Sequence, residues 1–336
     1  MKHDLKSPMP WFGGKSAVAS EVWRRFGKVR NYVEPFFGSG AVLLRRPNVD
    51  GTETVNDMNG WLCNFWRALQ ADPDGVAQFA DWPVSELDLH ARGDWLFYRT
   101  GVSGFIERLR SDPEYFDVKS AGWWVWGQCC WIGTGWGPRK LPHLGDAGRG
   151  VNRQRPHLGD AGRGVNRKRP HLGNAGRGEQ CGDVCEPQTA KGQAIKSYLR
   201  DLSERLRGVR ICCGDWSRVC GPAPTVKQGL TAVFLDPPYG IPDRADLYGI
   251  HEDRNVSADV REWCLKWDGD QRMRIALCGY EGEHEMPDSW ECFKWKARGG
   301  YGSQAADSEN ANAERERIWF SPSCNRQVGL FDLEGA

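Results

Sequence analysis

Asp236-Pro237-Pro238-Tyr239 carries the densest chemistry in this chain. It follows Ala232-Val233-Phe234-Leu235, a short apolar run that reads as a buried strand. The two prolines fix the backbone and remove two N–H donors. What remains is a carboxylate, prolyl carbonyls and an aromatic face. That set can accept hydrogen bonds from an exocyclic amine and stack on the ring that bears it. A nucleobase swung out of its helix offers both features. An ordinary Pro-Pro turn after a strand would also account for the tetrapeptide, because short motifs produce chance matches.

A second element lies near the start of the chain. Asn31-Tyr32-Val33-Glu34-Pro35-Phe36-Phe37-Gly38-Ser39-Gly40-Ala41-Val42-Leu43-Leu44 reads as strand, tight glycine turn, then helix. Glycine at 38 and 40 lets the backbone turn sharply and approach a ligand. The spacing is neither a dinucleotide fingerprint nor a phosphate-binding P-loop. Asp57 follows another short apolar stretch, 17 residues beyond Gly40. An acid near that spacing commonly takes a ribose hydroxyl in Rossmann-like folds. It could equally cap the next helix, expected from Gly60 to Gln70.

Three segments in order, Pro10-Trp11-Phe12-Gly13-Gly14-Lys15, Glu34-Pro35-Phe36-Phe37-Gly38-Ser39-Gly40 and Asp236-Pro237-Pro238-Tyr239, resemble the Dam-type (D12 class) adenine-N6 DNA methyltransferases of phage and prophage kind. Glu316-Arg317-Ile318-Trp319-Phe320-Ser321-Pro322 resembles their closing strand. The resemblance implies S-adenosyl-L-methionine as cofactor and double-stranded DNA as partner. It implies cofactor contacts from Trp11, Lys15, Phe36, Gly38, Ser39, Gly40, Asp57, Asp215 and Trp216. Lys15 would pair with the cofactor carboxylate, Asp57 with the ribose, and Asp215 and Trp216 with the adenine ring. Asp236 and the Pro237 carbonyl would accept the N6 hydrogens of the target, Pro238 would stiffen the shelf, and Tyr239 would stack on the base. Methylation of cytosine N4 is the close chemical alternative. A DNA-binding protein without catalysis, on a degenerate methyltransferase fold, is the alternative of a different class. A cognate restriction enzyme is a candidate partner, and a cytoplasmic monomer is the expected form.

The elements that must position these residues alternate. Ile195, Leu199, Leu202 and Leu206 fall at helical spacing before Gly208. Val209–Cys213 reads as a strand, Ser257 as the cap of a helix over 258–267, and 274–278 and 318–320 as further strands. The pattern predicts an α/β fold with a doubly wound, Rossmann-like parallel sheet. A catalytic domain over 1–58 and 191–336 is expected, interrupted by a mainly helical target-recognition domain over 59–190.

Inside that insert, a segment beginning Pro142-His143-Leu144-Gly145 recurs from Pro156 and, truncated, from Pro170, with a period of 14 over 142–178. It is too short and too poor in apolar residues to build a solenoid. Arg149, Arg153, Arg155, Arg163, Arg167, Lys168 and Arg169 give it a basic character suited to phosphate contacts, or to a solvated linker. The whole chain carries only +1, so any DNA-binding surface is local.

Of 17 tryptophans, many cluster between Trp123 and Trp136. Their close spacing favours a helical core over a base-stacking face. The 12 cysteines form no disulfide framework, and Cys129-Cys130 and Cys212-Cys213 read as buried thiols. Cys181 and Cys185, with His157 and His171, match no strong zinc spacing, so no metal is expected. No signal peptide or membrane span is read from the sequence.

Overall fold

The computed structural model describes residues 5–11, 13–47, 49–98, 104–112, 114–131, 136–137, 190–239, 256–296 and 314–325. The 14-residue repeats with their seven basic residues, and Cys181, Cys185, His157 and His171, lie outside the described residues.

The strands are β1 (Asn31–Glu34), β2 (Thr52–Asp57), β3 (Val209–Cys213), β4 (Thr231–Leu235), β5 (Met273–Tyr280), β6 (Glu291–Lys294) and β7 (Glu316–Phe320). They form one sheet in the order β3-β2-β1-β4-β5-β7-β6. The first five are mutually parallel, while β7 runs antiparallel between β5 and β6. The sheet is therefore mixed at one edge and not wholly parallel as the alternation predicts.

The period-two alternation of strand side chains builds two apolar layers. Tyr32, Ala232, Phe234, Cys278, Ile318 and Phe320 enter one cluster, which also holds Val22, Phe65, Val76, Trp124 and Leu199. Those last five come from helices α1 (Ala19–Phe26), α2 (Gly60–Ala71), α3 (Pro73–Ala80), α6 (Val118–Cys130) and α7 (Ala190–Leu206). Helices α4 (Glu86–Phe97) and α5 (Phe105–Ser111) lie between α3 and α6 in the chain. Val33, Val233, Leu235, Ile275, Leu277 and Trp319 enter the other cluster with Val260 and Cys264 of α8 (Val256–Lys266). Helices thus cover both faces, the doubly wound arrangement expected for buried parallel strands.

Trp66, Trp124 and Trp126 are among the largest fully buried side chains, so these tryptophans are core. Ile195, Leu199, Leu202 and Leu206 form the buried stripe of α7.

Three local expectations are corrected. The chain after the glycine turn makes only a 3-10 turn, Leu43–Arg45, and no α-helix. Pro47 disfavours a helical Arg46, which is extended at φ −60° and ψ 120°. The cap of α2 is Asn59, whose side chain accepts from the N–H groups of Trp61 and Leu62, and not Asp57. Helix α8 already contains Ser257, whose hydroxyl donates to Glu283 at 2.5 Å instead of capping.

Candidate active site

Strand order reverses between β1 and β4, from which the chain winds outward in both directions. The carboxyl ends of the strands at such a point leave a crevice where α/β sheets bind ligands. A cavity of about 310 Å³ lies there. It is lined by Trp11, Lys15, Phe36, Gly38, Ser39, Asp57, Asp215, Trp216, Asp236 and Pro238, all singled out from sequence, and by Glu34, Asn56 and Asp259, which were not. Gly40, Pro237 and Tyr239 are not among the lining residues.

Backbone stitching holds the three loops at this end of the sheet. Asn56 Nδ2 donates to the carbonyls of Pro35 at 3.0 Å and Gly214 at 2.9 Å, tying the loops after β1 and β3 together. Phe37 N–H donates to Asn56 O, and Gly214 N–H to Asp57 O. Asp57 accepts from Gly38 N–H at 3.0 Å and Asn59 N–H at 2.9 Å. Burial pushes its carboxyl up to about 6, against those backbone donors.

The glycine turn depends on left-handed backbone. Gly38 has φ +49°, and a Cβ there would lie 2.5 Å from Trp11 Nε1. Gly40 has φ +70°, and its Cβ would meet the Phe37 ring at 2.9 Å. Both observations explain why this loop closes on the cavity only as Gly-Ser-Gly.

The cavity walls suit a nucleoside. Phe36 and Trp216 face each other with ring centroids 6.2 Å apart and planes inclined by 28°. Asp215 caps the 3-10 turn Trp216–Val219 by accepting from Ser217 N–H at 2.9 Å, which fixes the backbone that carries Trp216. The amide oxygen of Asn56 is buried without a hydrogen-bond partner, an acceptor left for a ligand. The volume falls within the roughly 300–1,000 Å³ usual for small-molecule sites. These residues fit an adenosine-bearing cofactor.

At the other end of the cavity the tetrapeptide meets the N-terminal loop. Lys15 Nζ lies 2.9 Å from Asp236 Oδ1 and donates to Gly13 O at 2.8 Å and to the Tyr239 hydroxyl at 3.0 Å. Glu316 Oε2 lies 3.7 Å from the same ammonium. The Tyr239 hydroxyl is 3.0 Å from Asp236 Oδ1 and 2.9 Å from Glu316 Oε2. Burial would lower the Lys15 ammonium, but Asp236 and Glu316 outweigh it and hold lysine charged, above its ordinary range. Burial also raises Glu316, against the pull of Lys15, and raises Glu34 well above the carboxylate range.

Two residues therefore sit differently from what the motifs suggest. The Lys15 ammonium is turned to the acidic cluster around Asp236, and Tyr239 packs edge-on to Tyr280 with its hydroxyl in that cluster. Glu316 and Asn56 were missed as site residues. The seven basic residues assigned to DNA contact lie outside the described residues. No helix among the described residues is long and apolar enough to cross a membrane.

Residues 11–109 match the D12 class N6 adenine-specific DNA methyltransferase family. The match takes in the first motif, the glycine turn and Asp57, and ends before Asp236. A protein of Vibrio cholerae serotype O1 named DNA adenine methylase is 34% identical over 80 residues, covering 23% of this chain and 28% of that protein. A protein of Escherichia phage P1 named DNA N-6-adenine-methyltransferase is 31% identical over 75 residues, covering 22% of this chain and 10% of that protein. The matched region thus spans less than a third of either relative. The family resemblance drawn from the motifs is borne out over this segment.

Proposed function

We propose that this protein transfers a methyl group from S-adenosyl-L-methionine to adenine N6 of a base flipped from duplex DNA. The observation that carries the reading is convergence. Asp236, 179 residues beyond Asp57 in the chain, opens onto the same cavity as the D12-like glycine turn. The relatives' names and the family match support adenine as the base.

The cofactor would supply an electrophilic methyl on sulfur. Asp57 and the Asn56 amide oxygen would accept from its ribose, and Phe36 and Trp216 would enclose its adenine. Asp236, with a side chain 19% exposed at the cavity wall, would accept one N6 hydrogen, and the Pro237 carbonyl the other. That draws the nitrogen lone pair out of conjugation and aims it at the methyl carbon. As the N–C bond forms, the C–S bond breaks and positive charge grows on N6. The Asp236 carboxylate would stabilise it and accept the proton that N6 must then lose. In-line positioning supplies the rest of the acceleration.

Residues 59–190 would include the part that reads DNA, with the basic repeats contacting phosphates. The protein would act as a monomer in the cytoplasm. Incubating the chain with isotope-labelled S-adenosyl-L-methionine and mixed-sequence duplex, then hydrolysing the DNA to nucleosides, tests the reading. N6-methyl-2′-deoxyadenosine supports it, and label on cytosine alone or on no base refutes it.

A further inference from the structure

The Tyr239 hydroxyl carries one proton and faces two carboxylates at nearly equal distance, Asp236 at 3.0 Å and Glu316 at 2.9 Å. It can donate to only one at a time. It also accepts from Lys15, so its lone pairs are partly committed. When it donates to Asp236, the Oδ1 atom has Lys15 and Tyr239 on it together and little capacity left for an amine hydrogen. When it donates to Glu316, Oδ1 regains a lone pair, which adds to the acceptor capacity of Oδ2.

We propose that Glu316 is a positioning residue that draws the Tyr239 hydroxyl away from Asp236 and thereby frees Asp236 to accept the exocyclic amine. The proposal rests on the methyl-transfer reading above. The side chain of Glu316 is 4% exposed, too buried to serve solvent. Its position follows from the sheet. Strand β7 pairs with β5 so that Glu316 lies opposite Tyr280, which brings its carboxylate beside the residues that follow β4. A carboxylate with no such task would be a costly occupant here, since Lys15 already has Asp236 as its nearest anion. Burial raises the proton affinity of Glu316, which agrees with a carboxylate that takes a hydrogen bond from the tyrosine.

The test is a double-mutant cycle with Glu316→Gln and Tyr239→Phe, read as single-turnover methyl transfer to duplex DNA. Cofactor affinity by calorimetry and thermal unfolding are followed on every variant. Glu316→Gln should lower the single-turnover rate about tenfold or more, with cofactor affinity changed less than about twofold. In the Tyr239→Phe background the same change should cost less than about twofold, because the hydroxyl it acts through is gone. Glu316→Asp, which keeps the charge, should recover part of the rate and serves if the glutamine variant fails to fold. A normal rate for Glu316→Gln, or a loss of equal size in both backgrounds, overturns the proposal while leaving the methyltransferase reading intact. A wild-type protein that methylates no base overturns both.

Discussion

Trp66 Nε1 donates to the carbonyl of Gly38 at 3.0 Å, so a tryptophan of α2 clamps the turn that follows β1. The two residues are 28 apart in sequence. Their contact makes the helical layer part of the cavity's frame, because Trp66 also packs on Phe37 and Phe65.

Gly38→Ala follows from this geometry. A left-handed backbone costs a non-glycine residue about 1–2 kcal/mol. The new Cβ also displaces Trp11, whose Nε1 lies 2.5 Å from its position. Cofactor affinity should fall at least tenfold and the thermal midpoint should drop. Gly208→Ala, at a position with no neighbour within 4 Å, should change neither. Calorimetry and thermal melts on both variants check this, and equal behaviour would show that the turn is not a cofactor wall.

Cofactor binding should weaken in acid. Asp57 is raised to about 6. Above that pH it is a carboxylate with lone pairs for a ribose hydroxyl, and below it one oxygen carries a proton. The sign is therefore loss of affinity as pH falls, roughly fourfold between about pH 7.5 and about pH 5.5 for a single site. Asp57→Asn should bind more weakly and without that pH dependence. Titrations at several pH values decide, and an identical pH profile in the variant would move the ionisation elsewhere.

Trp124→Ala tests the reading of the tryptophan cluster as core. The side chain is 1% exposed and contacts Trp11 and Phe65. Removing a buried aromatic of this size costs about 3–5 kcal/mol. Denaturant unfolding should show that loss, whereas a base-stacking role would leave stability near normal and weaken DNA binding alone.

Strands β4 and β5 were legible as short apolar runs, β1 and β2 through the turn residues and acid that follow them, and α7 through the helical spacing of its apolar residues. The edge strand β6 was not, since Glu291-Cys292-Phe293-Lys294 alternates only half-buried and exposed positions over four residues. At the site, the glycines, Asp57 and Asp236 could be read from their own neighbours in sequence. Glu316 could not. It precedes the apolar run Ile318-Trp319-Phe320 and looks like a solvent-facing charge, and only the register of β7 on β5 brings it to Tyr239. Asn56 was overshadowed by Asp57 beside it, although its amide joins two loops 179 residues apart.

The central claim is that Asp236 acts on the base while the glycine turn holds the cofactor. Single-turnover methylation of duplex DNA and calorimetric cofactor titration, made on the same preparations of wild type and Asp236→Ala, test it most directly. The account predicts N6-methyladenine from wild type, a rate at least about 100-fold lower in the variant, and cofactor affinity unchanged within about threefold. A variant that methylates at a near-normal rate would contradict the account, as would one that no longer binds the cofactor.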